Sequence, residues 1–303
     1  MTGIYLNRIR ANAQIGYRRL RAFLGKGWIS QTTRVVIQET EPMATPLFII
    51  GTHRSGTSQL RRIIDSHPNI ACPPESFFLE SYFRMIQNPA TFVGLASLGF
   101  DRDQALGGLR RNASYFHEAY ARSKNKPRWA DKTPQYAFHL DALFELYQPD
   151  VQFLFILRHP LDVAYSIWSR GWQFKIDQPT GDLLTDTCRY VLESLEYQLD
   201  FLKTHPGISL EIAYDRLNRF PRETCEEICR FLNEPWSPEM LDFSDKAHDF
   251  GTEDPIVRGT RGFKGSYENW HAWNEDQQEE ALTILSPLMQ RLGYDYASAF
   301  KHK

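Results

Sequence analysis

The chain has 303 residues, 42% hydrophobic and 24% charged, the composition of a globular protein long enough to bury a large core. A formal net charge of −2 leaves no electrostatic footprint for nucleic acid, and no stretch reaches the roughly 18 apolar residues that a membrane span needs. The four cysteines (Cys72, Cys188, Cys225, Cys229) do not resemble a disulfide framework; Cys225 and Cys229 stand four apart on a helical stretch and read as buried thiols.

The N-terminus, MTGIYLNRIRANAQIGYRRLRAFLGKGW, is basic and amphipathic but lacks the apolar core of a signal peptide. It reads as a helix docked on its own domain, with peripheral contact to a membrane surface as the alternative, and a cytoplasmic location is expected. A polar lead-in ends at PLFIIGT, a buried strand that runs into a glycine turn. SQLRRIIDSHP follows with the period of a helix, at Leu60, Ile63 and Ile64, and stops at Pro68. Residues 76–125 read as helices and loops rich in aromatics. DALFELYQPD predicts a helix and VQFLFILRHP a buried strand. PLDVAYSIWSR predicts a helix starting at Pro160 with Asp162 in its first turn. LLTDTCRYVLESLEYQLDFLKTHP is a long amphipathic helix, ISLEIAYDRL a strand, and FPRETCEEICRFLNEPW another helix. A final helix, DQQEEALTILSPLMQRLGYDY, is capped by Gly293. Strands alternating with helices predict an α/β fold with a P-loop-like, largely parallel central sheet flanked by helices.

The stretch GTHRSGTSQL sits on strand, loop and helix, the context of a phosphate-binding loop. Gly51, Gly56 and Ser58 keep that loop's spacing, but Thr57 replaces its lysine and Arg54 enters instead. Backbone N–H groups at the helix start, Arg54, and the hydroxyls of Ser55, Thr57 and Ser58 suit a phosphate or sulfate. A triphosphatase would also need Mg²⁺ and an aspartate ending another strand, whereas the second strong strand ends as FILRHP, with Arg158 and no carboxylate. Two arginine-bearing strand ends on one crevice suit a multiply anionic ligand held without metal.

These segments resemble the sulfotransferases that use 3′-phosphoadenosine 5′-phosphosulfate (PAPS). GTHRSGTSQL is similar to their 5′-phosphosulfate loop. FILRHPLDVAYS is similar to their 3′-phosphate motif, in which a serine follows the strand-ending arginine by eight residues, as Ser166 follows Arg158. AYDRL resembles the segment whose tyrosine lies near the adenine, which implicates Tyr214. KGSYENW matches the late K-G-x-x-G-D-W loop in spacing, with Glu268 and Asn269 in place of Gly and Asp, so that Lys264 and Gly265 would close over the 3′-phosphate. The pattern is closer still to the protein-tyrosine sulfotransferases and to bacterial sulfotransferases like them. RSGTSQLRRIIDSHPNIACPPES puts Glu75 at their catalytic glutamate, and DKTP puts Lys132 at their active-site lysine, 26 residues before Arg158.

The resemblance implies a sulfotransferase fold over 46–303, with 1–45 as helix and lead-in. It implies transfer of the sulfuryl group from PAPS to a hydroxyl, less readily an amine, leaving adenosine 3′,5′-bisphosphate (PAP) and requiring no metal. Glu75 would be the base, Arg54 and Lys132 the catalytic cations; Arg54, Ser55, Gly56, Thr57, Ser58, Arg158, Ser166, Tyr214, Lys264 and Gly265 would hold the donor. His53, His67, His117 and His139 are rival bases. Trp129, Trp168, Trp172, Trp270 and Trp273 are candidates to line an acceptor cleft or to pack the core. The acceptor class (carbohydrate, lipid, peptide or small molecule) and the oligomeric state are not legible. A P-loop-type nucleotide or small-molecule kinase, and a non-catalytic protein retaining the cleft, stand as the alternative readings.

Overall fold

A computed structural model describes residues 45–249, 251, 258–259 and 261–294. The expected N-terminal helix therefore lies outside the described residues. The chain separates into two compact units. The described part of the smaller one, residues 79–113, holds α2 (Leu79–Gln87), α3 (Pro89–Ser97) and the first half of α4 (Arg102–Ser123). Asn88 caps α3 by accepting from the N–H of Ala90, and the Arg102 guanidinium lies 4.0 Å over the Phe92 ring.

The larger unit is built on five parallel strands: β1 (Leu47–Ile50), β2 (Ile70–Ala71), β3 (Arg128–Asp131), β4 (Gln152–Leu157) and β5 (Ser209–Ala213). Their order across the sheet is β2-β3-β1-β4-β5. Helices flank the sheet because both faces of its strands are apolar. Leu47, Ile49, Leu154 and Ile156 pack in one cluster with Leu60, Ile63 and Ile64 of α1 (Thr57–Asp65), and with Cys225, Ile228 and Leu232 of α9 (Pro221–Leu232). The alternate residues Phe48, Phe153 and Phe155 face the other way. They meet Tyr147 of α5 (Leu140–Tyr147) and Phe201 of α7 (Leu183–Thr204) in aromatic contacts of 5.2 to 5.9 Å. Each such fully buried side chain contributes about 2 kcal/mol. A second cluster joins α6 (Pro160–Trp168), α7 and α10 (Glu275–Arg291).

The expected strand and helix order holds, with two corrections. First, β2 and β3 carry no apolar run. In β3 all four residues of RWAD are buried, charged ends included. The Arg128 guanidinium is accommodated by the carbonyls of Thr45 and Leu232 and by Gln152 Oε1. Buried charge erased the periodic signal of this strand. Second, the strand expected through AYDRL stops at Ala213. Tyr214 opens a short helix, α8 (Tyr214–Arg219), whose backbone turn is braced by Asn218 Nδ2 donating to the Tyr214 carbonyl.

Elsewhere, Gly293 adopts φ +76 just after α10, where only a residue without Cβ sits at ease, and so ends that helix as expected. The four cysteines are buried free thiols; burial pushes Cys188 and Cys225 up to about 12, which leaves them unreactive. No described helix is long and apolar enough to cross a membrane.

Candidate active site

β1 and β4 are neighbours, and the loops leaving their C-terminal ends share a crevice, the place where open α/β sheets take ligands. The first loop, Gly51 to Gly56, needs both glycines. A Cβ on Gly51 would stand 2.6 Å from Ser55 Oγ, and one on Gly56 2.6 Å from the Tyr214 ring; Gly56 also has φ +104. Gly56→Ala is therefore expected to cost about 1–3 kcal/mol of stability, read as a lower urea midpoint, and to weaken anion binding at the loop. A variant with wild-type stability and binding would show that the close approach is unimportant.

No side chain caps the N-terminus of α1 and no acidic residue lies in its first turn. Its first N–H groups and the positive end of its dipole are thus available to an anion. They open into a cavity of about 360 Å³. The loop and α1 contribute Arg54, Gly56, Thr57, Ser58, Gln59 and Arg62. Arg158, Tyr165, Ser166, Ser169 and Arg170 come from the β4 end and α6. Tyr214, Lys264, Ser266 and Asn269 also line it; among the described residues the lining holds five cationic side chains and no carboxylate.

The segments expected to act together do touch. Arg54 Nε donates to Ser166 Oγ at 3.0 Å, and its guanidinium lies 5.6 Å over Trp172. Arg158, almost fully buried, donates to the Arg54 carbonyl at 2.9 Å and to the Ser266 carbonyl at 2.5 Å. It also lies 4.7 Å over the Tyr214 ring, whose hydroxyl accepts from the Ser266 N–H at 3.1 Å. One guanidinium thus ties the first loop to the late loop. Two expected residues do not line the cavity. Ser55 is fully buried behind the loop, its N–H donating to the Thr52 carbonyl, and Gly265 sits beneath the Tyr267 ring.

Glu75 and Lys132 meet beside the cavity. Lys132 Nζ donates to Glu75 Oε1 at 2.5 Å and reaches Ser58 Oγ at 3.4 Å, so the pair adjoins the lining through Ser58. Lys132 is 1% exposed, which excludes a merely solvated lysine. Glu75 Oε2 has no hydrogen-bond partner among the described residues. Of the rival bases, His53 is half-buried against Tyr190, whose hydroxyl is 2.5 Å from Nδ1. Burial, with Lys132 and Arg54 nearby, pulls His53 down to about 3, which makes it a poor proton acceptor at neutral pH. His67 packs at the end of α1 against the Pro235 carbonyl. His139 precedes α5, and His117 is sequestered by Asp131. Trp129, Trp270 and Trp273 are core residues, whereas Trp172 is exposed beside Arg54.

Sequence reasoning misses several residues. Arg62 follows the motif hydroxyl Ser58 by one turn of α1, a spacing that puts both on the same face, and Arg170, in the turn after α6, donates to Ser166 Oγ at 3.2 Å. The sequence marks Asp162 only as a helix-start residue. Its carboxylate accepts from the N–H groups of Asn269 (2.8 Å) and Glu268 (3.0 Å) and so pins the late loop to α6. Glu268 has φ +57, a strained value for a residue in the place where the resembled motif carries glycine. Asp131 ends β3, so a carboxylate does close a strand beside β1; its oxygens accept from the hydroxyls of Ser76 and Thr133, and His117 Nε2 lies 2.8 Å from Oδ2.

A profile of the Sulfotransferase family matches residues 46–238. Nodulation protein NoeE of Sinorhizobium fredii is 31% identical over 85% of this chain and 68% of its own. A protein-tyrosine sulfotransferase of Drosophila melanogaster is 23% identical over 82% of this chain and 51% of its own. The chain spans a third of the length of an uncharacterized Aquifex aeolicus relative, at 26% identity. Among solved structures, the sulfotransferase domain from the curacin biosynthetic pathway superposes with a TM-score of 0.61 over 84% of this chain and 99% of its own, at 20% identity, a likeness of fold.

Proposed function

Because the chain belongs to the sulfotransferase family, we propose that its five-cation cavity binds PAPS and that Glu75 and Lys132 deliver the sulfuryl group to an acceptor hydroxyl. The observation that carries this reading is a convergence. Arg54, Arg158, Ser166 and Lys264, drawn from three segments, line one cavity, and the Glu75–Lys132 pair borders it at Ser58. The fit is electrostatic as well as steric. A 3′-phosphate, a 5′-phosphate and a sulfate carry about four negative charges, counting nearly two for a phosphate monoester. Five cations and an uncapped helix start face them, with no carboxylate among the described lining residues to repel them.

PAPS supplies an activated sulfuryl group, and the chain's residues do the rest. Arg158, Ser166 and Lys264 hold the 3′-phosphate, with Tyr214 placing the nucleoside. Thr57, Ser58 and the α1 N–H groups hold the 5′-phosphate. Glu75 takes the acceptor's proton at Oε2 as the acceptor oxygen bonds to sulfur. The bond from sulfur to the bridging oxygen breaks, and the electron pair stays on that oxygen as PAP forms. Lys132 and Arg54 stabilise the charge that develops there, the kind of preorganised help that dominates such transfers. No step calls on a metal. In this reading residues 46–303 are the catalytic unit. The relatives' names divide over the acceptor, one on protein tyrosine and one in nodulation, so the acceptor is specified only as a hydroxyl compound.

Thermal denaturation with chelator present tests the donor site. PAP at about a hundred times its Kd is expected to raise Tm by several degrees. Stabilisation by ATP with Mg²⁺ but not by PAP would instead identify a kinase.

A further inference from the structure

We propose that Asp131, acting with His117, is a positioning residue that fixes the Glu75–Lys132 pair; the proposal rests on the reading of Glu75 as the base. Asp131 is 1% exposed and has no arginine or lysine hydrogen-bonded to its carboxylate among the described residues. A buried carboxylate kept in that state is costly unless its oxygens are hydrogen-bonded, and here each accepts from a hydroxyl. Oδ1 accepts from Thr133 Oγ1 at 2.8 Å. Oδ2 accepts from Ser76 Oγ at 2.5 Å and lies 2.8 Å from His117 Nε2.

The two hydroxyl contacts lead to the two catalytic candidates. Ser76 follows Glu75 directly. Its N–H donates to Thr133 Oγ1 (3.0 Å), and since its hydroxyl donates to Asp131, the Tyr136 hydroxyl 2.8 Å away donates to it in turn. Asp131 and Thr133 bracket Lys132 on the chain. The network therefore joins the backbone on one side of Glu75 to the backbone on both sides of Lys132. His117 secures a further point: it stacks on Trp129 of β3 (4.6 Å, 15°) and meets Phe78 at 5.2 Å. The segment that carries Glu75 is thus held at Ser76 by a carboxylate and at Phe78 by an imidazole that the same carboxylate faces. No atom of this network lines the donor cavity, so it controls where the base and the lysine stand and not how the donor binds.

The test compares Ser76→Ala and Asp131→Asn with Glu75→Gln and wild type. Labelled sulfate transfer from PAPS to a fixed lysate acceptor pool is followed, and PAP affinity is measured by calorimetry. Both positioning variants are expected to lose one to two orders of magnitude in apparent kcat, the cost of about 1 Å of misplacement. Donor KM and PAP Kd should stay within about twofold. A merely structural role would lower Tm and leave apparent kcat intact below it. If Asp131→Asn does not fold, Ser76→Ala decides. Wild-type kcat in the folded variants, with Glu75→Gln inactive, overturns the positioning role alone. Wild-type kcat in Glu75→Gln overturns the base assignment and this inference with it.

Discussion

Glu75→Gln is expected to lower sulfate transfer by roughly 10²- to 10⁴-fold, the range ascribed to a general base, while PAP binding stays nearly unchanged. The amide is the informative substitution because its carbonyl can still accept from Lys132 Nζ, the contact that now measures 2.5 Å. What is removed is the carboxylate's negative charge and, with it, the capacity to take a proton at Oε2. Alanine would be less clean. It would take away the hydrogen-bond acceptor of Lys132, 1% exposed, as well as the charge, and a buried donor left without a partner costs about 1–3 kcal/mol, more when it is charged. Transfer assays at saturating donor, paired with PAP calorimetry on the same preparation, separate the two contributions. If transfer falls less than about threefold, another group takes the proton; His53, held down at about 3, is not a good candidate for it.

Arg158→Ala is expected to act on the opposite parameter. Arg158 contacts the first loop at Arg54, the late loop at Ser266 and the face of Tyr214 together. Two charge-assisted hydrogen bonds to a phosphate contribute about 1.5–3 kcal/mol each. At 1.4 kcal/mol per tenfold, their loss raises donor KM and PAP Kd by at least about 100-fold. Turnover at saturating donor should change little, because in the proposed reading Arg158 holds the 3′-phosphate and not the sulfuryl group. Arg158→Lys should recover only part of the affinity, since an ammonium cannot reproduce the two-pronged contact. A donor KM within threefold of wild type would remove Arg158 from the donor site.

How much of this is legible in the sequence depends on where charge lies. β1, α1, β4 and α6 announce themselves because apolar runs alternate with Gly51, Gly56 and Pro160, and the motif residues sit at those boundaries. β3 does not, because Arg128 and Asp131 are buried charges in a four-residue strand. Arg62, on α1, and Arg170, in the turn after α6, escape notice because single surface-type cations usually face water; in this fold each lines the cavity. The sequence neighbours of Tyr214 suggest a strand, yet it opens a helix whose first residue faces the cavity. The pairing of Glu75 with Lys132 cannot come from local pattern, since 57 residues separate them; a likeness to a family suggests both, and the fold brings them together. The Asp131 network has no sequence signature, being assembled from four separate positions around one strand end.

The central claim is that this cavity serves sulfuryl transfer. It is tested most directly by incubating the purified protein with sulfur-labelled PAPS, a lysate-derived acceptor pool and a metal chelator. The account predicts that label moves into an acceptor fraction as PAP accumulates in equal amount. Intact donor after prolonged incubation, or transfer that returns only when a divalent metal is restored, would contradict it.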